Sequence, residues 1–252
     1  MQPLPEVTPV GPESQTTREP LPQVPWNKRD ILWGVIGGFA LLMAVTLLVT
    51  VGLRLYERVT DGTLLGTSAA ITMLAELALL VPVWWFGLRK YHLTWDSVGL
   101  RGFSLGQGLG LGCLFLLFAF SFNMAWGLLL YFLDLRTQPD VLQLFGGGIQ
   151  GLLMALVTGG IIVPIAEEIF FRGFVFAGLH QHLGLRRALL LNGILFALVH
   201  ILPTSWPPIF VLGVLFALLY EQTGSIWPAV IAHGAINSFS FLALYWVEMM
   251  NF

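Results

Sequence analysis

Residues 154–172 read MALVTGGIIVPIAEEIFFR, an apolar run that carries two adjacent acids, Glu167 and Glu168, and closes on Arg172. Around them, residues 149–183 hold apolar character for roughly 35 positions, or roughly 52 Å as one helix, against a hydrocarbon core of about 30 Å. The stretch therefore reads as a membrane helix that is strongly tilted, broken near Gly159-Gly160 or Pro164, or split around Gly173. Each ionisable side chain at bilayer depth costs about 2.5–3.5 kcal/mol on insertion scales, so three together require partners or a polar cavity.

The rest of the chain agrees with a membrane reading. Of 252 residues, 56% are hydrophobic and only 10% charged, and the mean hydropathy is +0.80, whereas soluble domains carry about 25% charge. Spans are expected at Ile31–Leu53, Leu64–Leu88 and Gln107–Leu133, then in the 149–183 stretch. Shorter ones follow at Ala188–Leu202, Pro208–Tyr220 and Ile226–Val247. The fold class is all-α: a polytopic transmembrane helix bundle of seven or eight spans. Three regions are expected: a disordered Pro-rich tail over 1–30, N-terminal transmembrane helices over 31–135, and a helical core over 149–248.

Net charge is −2, and no basic run points to nucleic acid. Cys113 is the single cysteine, which excludes an intramolecular disulfide and a cysteine metal site. The Lys/Arg bias of the short loops (Lys28, Arg29, Arg89, Lys90, Arg101, and Arg186-Arg187 against Arg54, Arg58 and Arg136) favours a cytoplasmic N-terminus in the cell membrane.

Strongly polar side chains in the C-terminal half recur at helical spacing. Glu168 and Arg172 are i,i+4 with the acid first, the better order for an ion pair. Phe196 and His200 share one helix face, as do His233 and Asn237. A turn near Gly184-Leu185 puts Glu167 and His200 at depths that differ by about 4–5 Å in a helical hairpin. A carboxylate and a histidine that converge on one water can deprotonate it, directly or through a metal. A second histidine and an asparagine one turn apart can donate to an oxyanion. Taken singly, each has a plainer reading: Glu168–Arg172 as a structural ion pair, the histidines as interhelical hydrogen bonders, Phe196 as packing. His180 and His182 suit the membrane edge, Trp84, Trp85 and Trp206 suit interfacial belts, and Glu76 and Asn123 suit interhelical bonding or a cavity wall.

Glu167-Glu168-x-x-x-Arg172, Phe196-x-x-x-His200 and His233-x-x-x-Asn237 resemble, in order, three signature motifs of the CPBP family, the CAAX prenyl endopeptidases and bacteriocin-processing enzymes also called Abi. The likeness covers roughly 149–240, and the loop Leu93 to Arg101 looks like the family's linker before the core. The resemblance implies an all-helical intramembrane endopeptidase acting on a membrane-associated, CAAX-like or otherwise lipidated protein or peptide. It implies that Glu167 and His200 activate water while His233 and Asn237 hold the oxyanion, with Glu168, Arg172 and Phe196 in support. It also implies a divalent metal, zinc, on Glu167, His200 and His233, although no H-E-x-x-H is present. Membrane lipids are the other expected partner. The rival readings are a catalytically idle immunity protein, a membrane scaffold, and a proton-coupled transporter, the last disfavoured because no internal repeat is visible.

Overall fold

The computed structural model describes residues 21–60, 71, 73–135, 145–200 and 202–250, with Glu248 as backbone only. The first twenty residues of the expected tail, Arg136, Pro139 and most of the first half of the Leu64–Leu88 span lie outside the described residues. Seven helical runs are present among those described: α1 (Lys28–Thr60), α2 (75–89), α3 (Leu105–Phe132), α4 (Gly148–Leu183), α5 (Leu185–Leu198), α6 (Trp206–Thr223) and α7 (Trp227–Met250). Five of them, α1, α3, α4, α6 and α7, are long and apolar enough to cross a membrane. The sequence count of seven is reached only with the shorter α2 and α5. The class is all-α, a polytopic helical membrane bundle.

α4 is the axis of the fold, and of the three alternatives it excludes the break and the split. It runs 36 residues from Gly148 to Leu183 through Gly159-Gly160, Pro164 and Gly173 without interruption. It absorbs them by changing register, with wide π turns at Thr158–Ile162 and Ile169–Phe176 around an α-helical turn at Val163–Glu168. A π turn bonds i to i+5 and shifts the face that later side chains present, and it appears most often at functional sites. The two acids therefore sit between two register shifts. Gly184, with φ 76°, ends α4 and starts α5, so the hairpin turn falls where the sequence put it.

Lipid-facing and protein-facing helices are easy to tell apart. α1 and α3 leave Leu47, Leu48, Leu117 and Met124 exposed, as helices bathed in acyl chains do. α4 is instead wrapped, with every residue from Val163 to Ala177 buried except Ile165. Phe170 meets Phe39 of α1 and its neighbour Phe171 edge to face there, while Phe171 lies tilted against Phe39 and Phe174 tilted against Phe170. α4 and α7 approach closely through paired glycines: a Cβ on Gly234 would lie 2.5 Å from the Gly160 carbonyl oxygen, and one on Gly160 2.5 Å from Ser238 Oγ. The 93–101 loop docks on the α6–α7 turn, with Ile226 N–H donating to Gly99 O at 3.0 Å and Arg101 Nε to Gly224 O at 2.7 Å.

The expected tail ends earlier than the sequence suggested. Residues 21–27 form no regular secondary structure but are packed, because Val24 and Trp26 are apolar side chains with a place to go. Trp26 is fully buried beside Phe174, its indole N–H donating to Phe174 O at 3.1 Å. His182 meets the Trp26 carbonyl at 3.0 Å, so it acts as a tether rather than pairing with His180. One residue into the next turn, Asp30 takes Lys90 Nζ and Tyr91 Oη, each at 2.5 Å. Trp26→Ala is expected to lower stability by about 3–5 kcal/mol, read as a fall in the thermal midpoint of the detergent-solubilised protein. An unchanged midpoint would return residues 21–27 to a loose tail.

Candidate active site

The site is built on α4 and closed by α5, α6 and α7. Glu168 and Arg172, one turn apart on α4, form an ion pair of 2.8 Å with both side chains wholly buried. Other groups compensate the pair only in part, because among the described residues Glu168 Oε2 and Arg172 Nε are buried with no hydrogen-bond partner. Arg172 also donates to Gly213 O at 3.3 Å from α6. Its guanidinium lies 4.3 Å from the centre of the Phe196 ring and 5.2 Å from Phe216, so two aromatic faces stand in for solvent. Phe196 thus supports the charge directly rather than merely filling space.

His233 of α7 binds the same carboxylate, Nδ1 to Glu168 Oε1 at 2.9 Å. A carboxylate ion only accepts hydrogen bonds, so Nδ1 carries the proton and, in the neutral ring, Nε2 presents its lone pair. Nε2 faces Glu167 Oε2 at 3.6 Å, and the ring stacks on Phe216 at 5.1 Å. One imidazole is therefore wedged between two glutamates. Glu167 has a further neighbour, the Glu76 carboxyl of α2, which lies within electrostatic reach of it. Two carboxyls this close favour having one proton between them.

His200 closes α5. Its Nδ1 meets Phe196 O at 2.8 Å, a tautomer that leaves Nε2 free to accept, and Trp206 Nε1 holds its backbone carbonyl at 2.6 Å. Trp206 is thereby a strut as well as an interfacial residue. A cavity of about 480 Å³ opens on this arrangement, with Phe196, His200, His233 and Asn237 in its wall. Glu167 and Glu168 lie behind His233. The expected pairing of Glu167 with His200 is not what the described contacts give: Glu167 meets His233 and Glu76, and His200 turns back on its own helix.

Asn237 is occupied for a reason that the backbone supplies. In the π register Val163 N–H reaches Thr158 O, so the next donor, residue 164, falls to Gly159 O. Residue 164 is proline and has no N–H. Asn237 Nδ2 donates to that carbonyl instead, at 2.9 Å. Its second amide hydrogen is left for the cavity.

Glu167, His200 and His233 can be weighed as a metal set on this geometry. Glu167 Oε2 and His233 Nε2 face one another, and Glu168 on Nδ1 is the kind of outer partner that ligating histidines have. Among the described residues, however, no three His, Cys, Asp or Glu groups gather closely enough to hold one ion. As placed, the three residues do not make the expected set.

Sequence reasoning passed over two members. Glu76 stood alone in an early helix, with its contact about ninety positions away in the chain. Asn192, wholly buried, donates from α5 to Phe171 O at 2.7 Å, and its signal was simply an amide in an apolar run. The proline account carries a test. Asn237→Leu leaves a buried carbonyl unpaired and is expected to cost about 1–3 kcal/mol. In a Pro164→Ala background, which restores the missing N–H, the same change is expected to cost less than half as much. Equal losses in both backgrounds, read from thermal unfolding of the purified variants, would overturn it.

Comparison with known proteins fits this picture. Residues 149–239 match the family described as Type II CAAX prenyl endopeptidase Rce1-like. Over 216 residues the chain is 27% identical to "Putative membrane peptidase YdiL" of Bacillus subtilis (strain 168), covering 83% of this chain and 85% of that protein. It is 33% identical over 82 residues to "UPF0177 protein YxdF" of Lactococcus lactis subsp. lactis (strain IL1403), 32% of this chain and 44% of that one. No solved structure matches the chain. The matched segment contains all three motifs and supplies α4 through just over half of α7, the helices that bury the acids and both histidines, so the likeness to that family lies in the part of the chain that builds the site.

Proposed function

We propose that the protein is an intramembrane peptidase that hydrolyses a peptide bond of a membrane-associated substrate. The observation that carries the reading is the His233 ring, held between two buried glutamates with one side in the wall of a cavity. The Rce1-like match and the peptidase name of the Bacillus subtilis relative support the same reaction class. A lipidated, CAAX-like substrate is the finer form of this proposal.

The roles follow from donors and acceptors. Glu167 Oε2 takes one proton of a water at the cavity edge as general base, and His233 Nε2, 3.6 Å from that carboxylate, is placed to receive the proton from it. Glu168, fixed by Arg172, keeps His233 in the Nδ1–H tautomer, as the buried acid does in a hydrolase triad. His200 Nε2 accepts a hydrogen bond from the same water and orients it. The free amide hydrogen of Asn237 donates to the oxyanion that forms on the attacked carbonyl. His233 adds a second donor once the proton has passed to Nε2. The Glu76 contact favours a variant in which Glu76 and Glu167 share one proton and act as a carboxyl pair.

Purified protein in nanodiscs, incubated with membrane-tethered peptides, tests the reading by mass spectrometry of the products. Glu167→Gln is expected to lower turnover about 100- to 10,000-fold with the fold intact. Equal turnover by wild type and Glu167→Gln would sink the mechanism, whereas absent turnover by the wild type would leave a binding or immunity role. Glu76→Gln separates the two proton arrangements: loss as deep as that of Glu167→Gln selects the carboxyl pair, and activity within about tenfold of wild type selects the glutamate–histidine arrangement.

The proposed zinc is tested on its own. Metal analysis of the purified chain, with activity followed through chelation and zinc readdition, is expected to show stoichiometric metal and reversible loss if Glu167, His200 and His233 close on an ion. Full activity without metal would assign the reaction to the protein groups alone.

A further inference from the structure

The cavity has a far wall that lies outside the family-matched segment. It is one stripe of α3: Asn123, Trp126, Gly127 and Leu130, spaced i, i+3, i+4 and i+7 and so on a single helix face. Two features of that stripe have no use in the resting fold, and a third keeps the space open. Asn123 lies nine residues from the end of α3, roughly 14 Å into the bilayer, and among the described residues nothing hydrogen-bonds its side chain. An amide at that depth normally finds a partner helix. Gly127 weakens the helix, yet a Cβ there would meet nothing within 4 Å, so no neighbouring helix requires it to be small. Trp126 turns its indole N–H away, onto Thr204 O at 2.7 Å, which pins α3 to the turn before α6 and props the space open.

We infer that the Asn123–Gly127 stripe of α3 is the substrate-binding wall, which takes an extended peptide segment and holds its backbone through the Asn123 amide opposite His200, His233 and Asn237. The inference rests on the peptidase reading and names which part of the substrate is gripped. An amide offers one acceptor and two donors, the complement of a single peptide unit. A helical segment has no spare backbone groups to offer it, whereas an extended one does. A glycine without steric cause is what close approach of a bound backbone requires. The cavity volume, about 480 Å³, is within the range of small-ligand sites and too small to enclose a membrane-spanning helix of roughly 10 Å diameter. The occupant is therefore a short, unwound stretch of a membrane protein rather than an intact membrane helix.

Two variants and one binding measurement test this on the full chain in nanodiscs. The probe is a library of Leu/Ala-based membrane-spanning peptides with a randomised segment beside the apolar run. Asn123→Leu is expected to lower kcat/KM about tenfold, mainly through KM. Gly127→Leu, which suits a helix better than glycine, is expected to raise the thermal midpoint while it lowers kcat/KM by a similar factor or more. Separately, in a Cys113→Ser, Glu167→Gln background, the thiol introduced by Gly127→Cys is expected to be alkylated more slowly when the library is present. Wild-type turnover with both Leu variants unimpaired overturns the inference and leaves the peptidase reading standing. Absent wild-type turnover with thiol protection sinks the peptidase reading and keeps the stripe as a peptide-binding wall. Absent protection overturns the inference whatever the turnover.

Discussion

The Glu168–Arg172 ion pair is the constraint that the rest of the molecule serves. Both side chains have zero exposure in a chain whose surroundings are hydrocarbon, and an isolated charge there is prohibitive. Each neighbour compensates for it: the Gly213 carbonyl and two aromatic faces take the guanidinium, and the His233 imidazole takes the carboxylate. These partners come from α5, α6 and α7, so satisfying one pair fixes the relative placement of four helices. Position and tautomer of His233 follow from that, and with them the orientation of the nitrogen that faces Glu167.

A second constraint is the altered register of α4. A regular α-helix through residues 148–183 would leave Pro164 with a clash and a missing bond. The wide turn before it moves the deficit to Gly159 O, where Asn237 meets it. This couples a backbone irregularity to a side chain of the site. It also explains why α7 packs so near α4, since the amide must reach a main-chain oxygen and the glycines at 160 and 234 permit the approach. Polar residues in this bundle consequently serve two ends at once: they satisfy backbone groups that lipid cannot, and they hold their remaining donors toward the cavity.

How much of this was legible in the sequence varies by residue. Glu168 and Arg172 could be paired from their spacing alone, because i,i+4 neighbours on a helix must meet. The hairpin turn at Gly184 was legible for the same kind of local reason. The partner of Glu167 was not, since hairpin depth brought His200 to the right level but says nothing about azimuth, and the π turns rotate the helix in a way that apolar periodicity does not record. Glu76 was invisible as a site residue because an isolated acid in an early helix has many possible neighbours. Trp26 sat inside a proline-rich stretch whose composition argued for disorder, and only the slot between α1, α2 and α4 shows that one indole is enough to anchor it.

The sequence by itself determined the class: hydropathy demanded a helical membrane bundle, and three spaced motifs picked out the glutamates, histidines and asparagine of the candidate site. These follow from local rules, the 1.5 Å rise and the 3.6-residue turn, which act along one helix at a time. Tertiary structure alone decided who touches whom. It set His233 between the two glutamates, gave Asn237 to a proline's orphaned carbonyl, and turned the Asn123 face of α3 toward the cavity, because a polar group buried in lipid gains most from a partner and only packing determines which one is within reach.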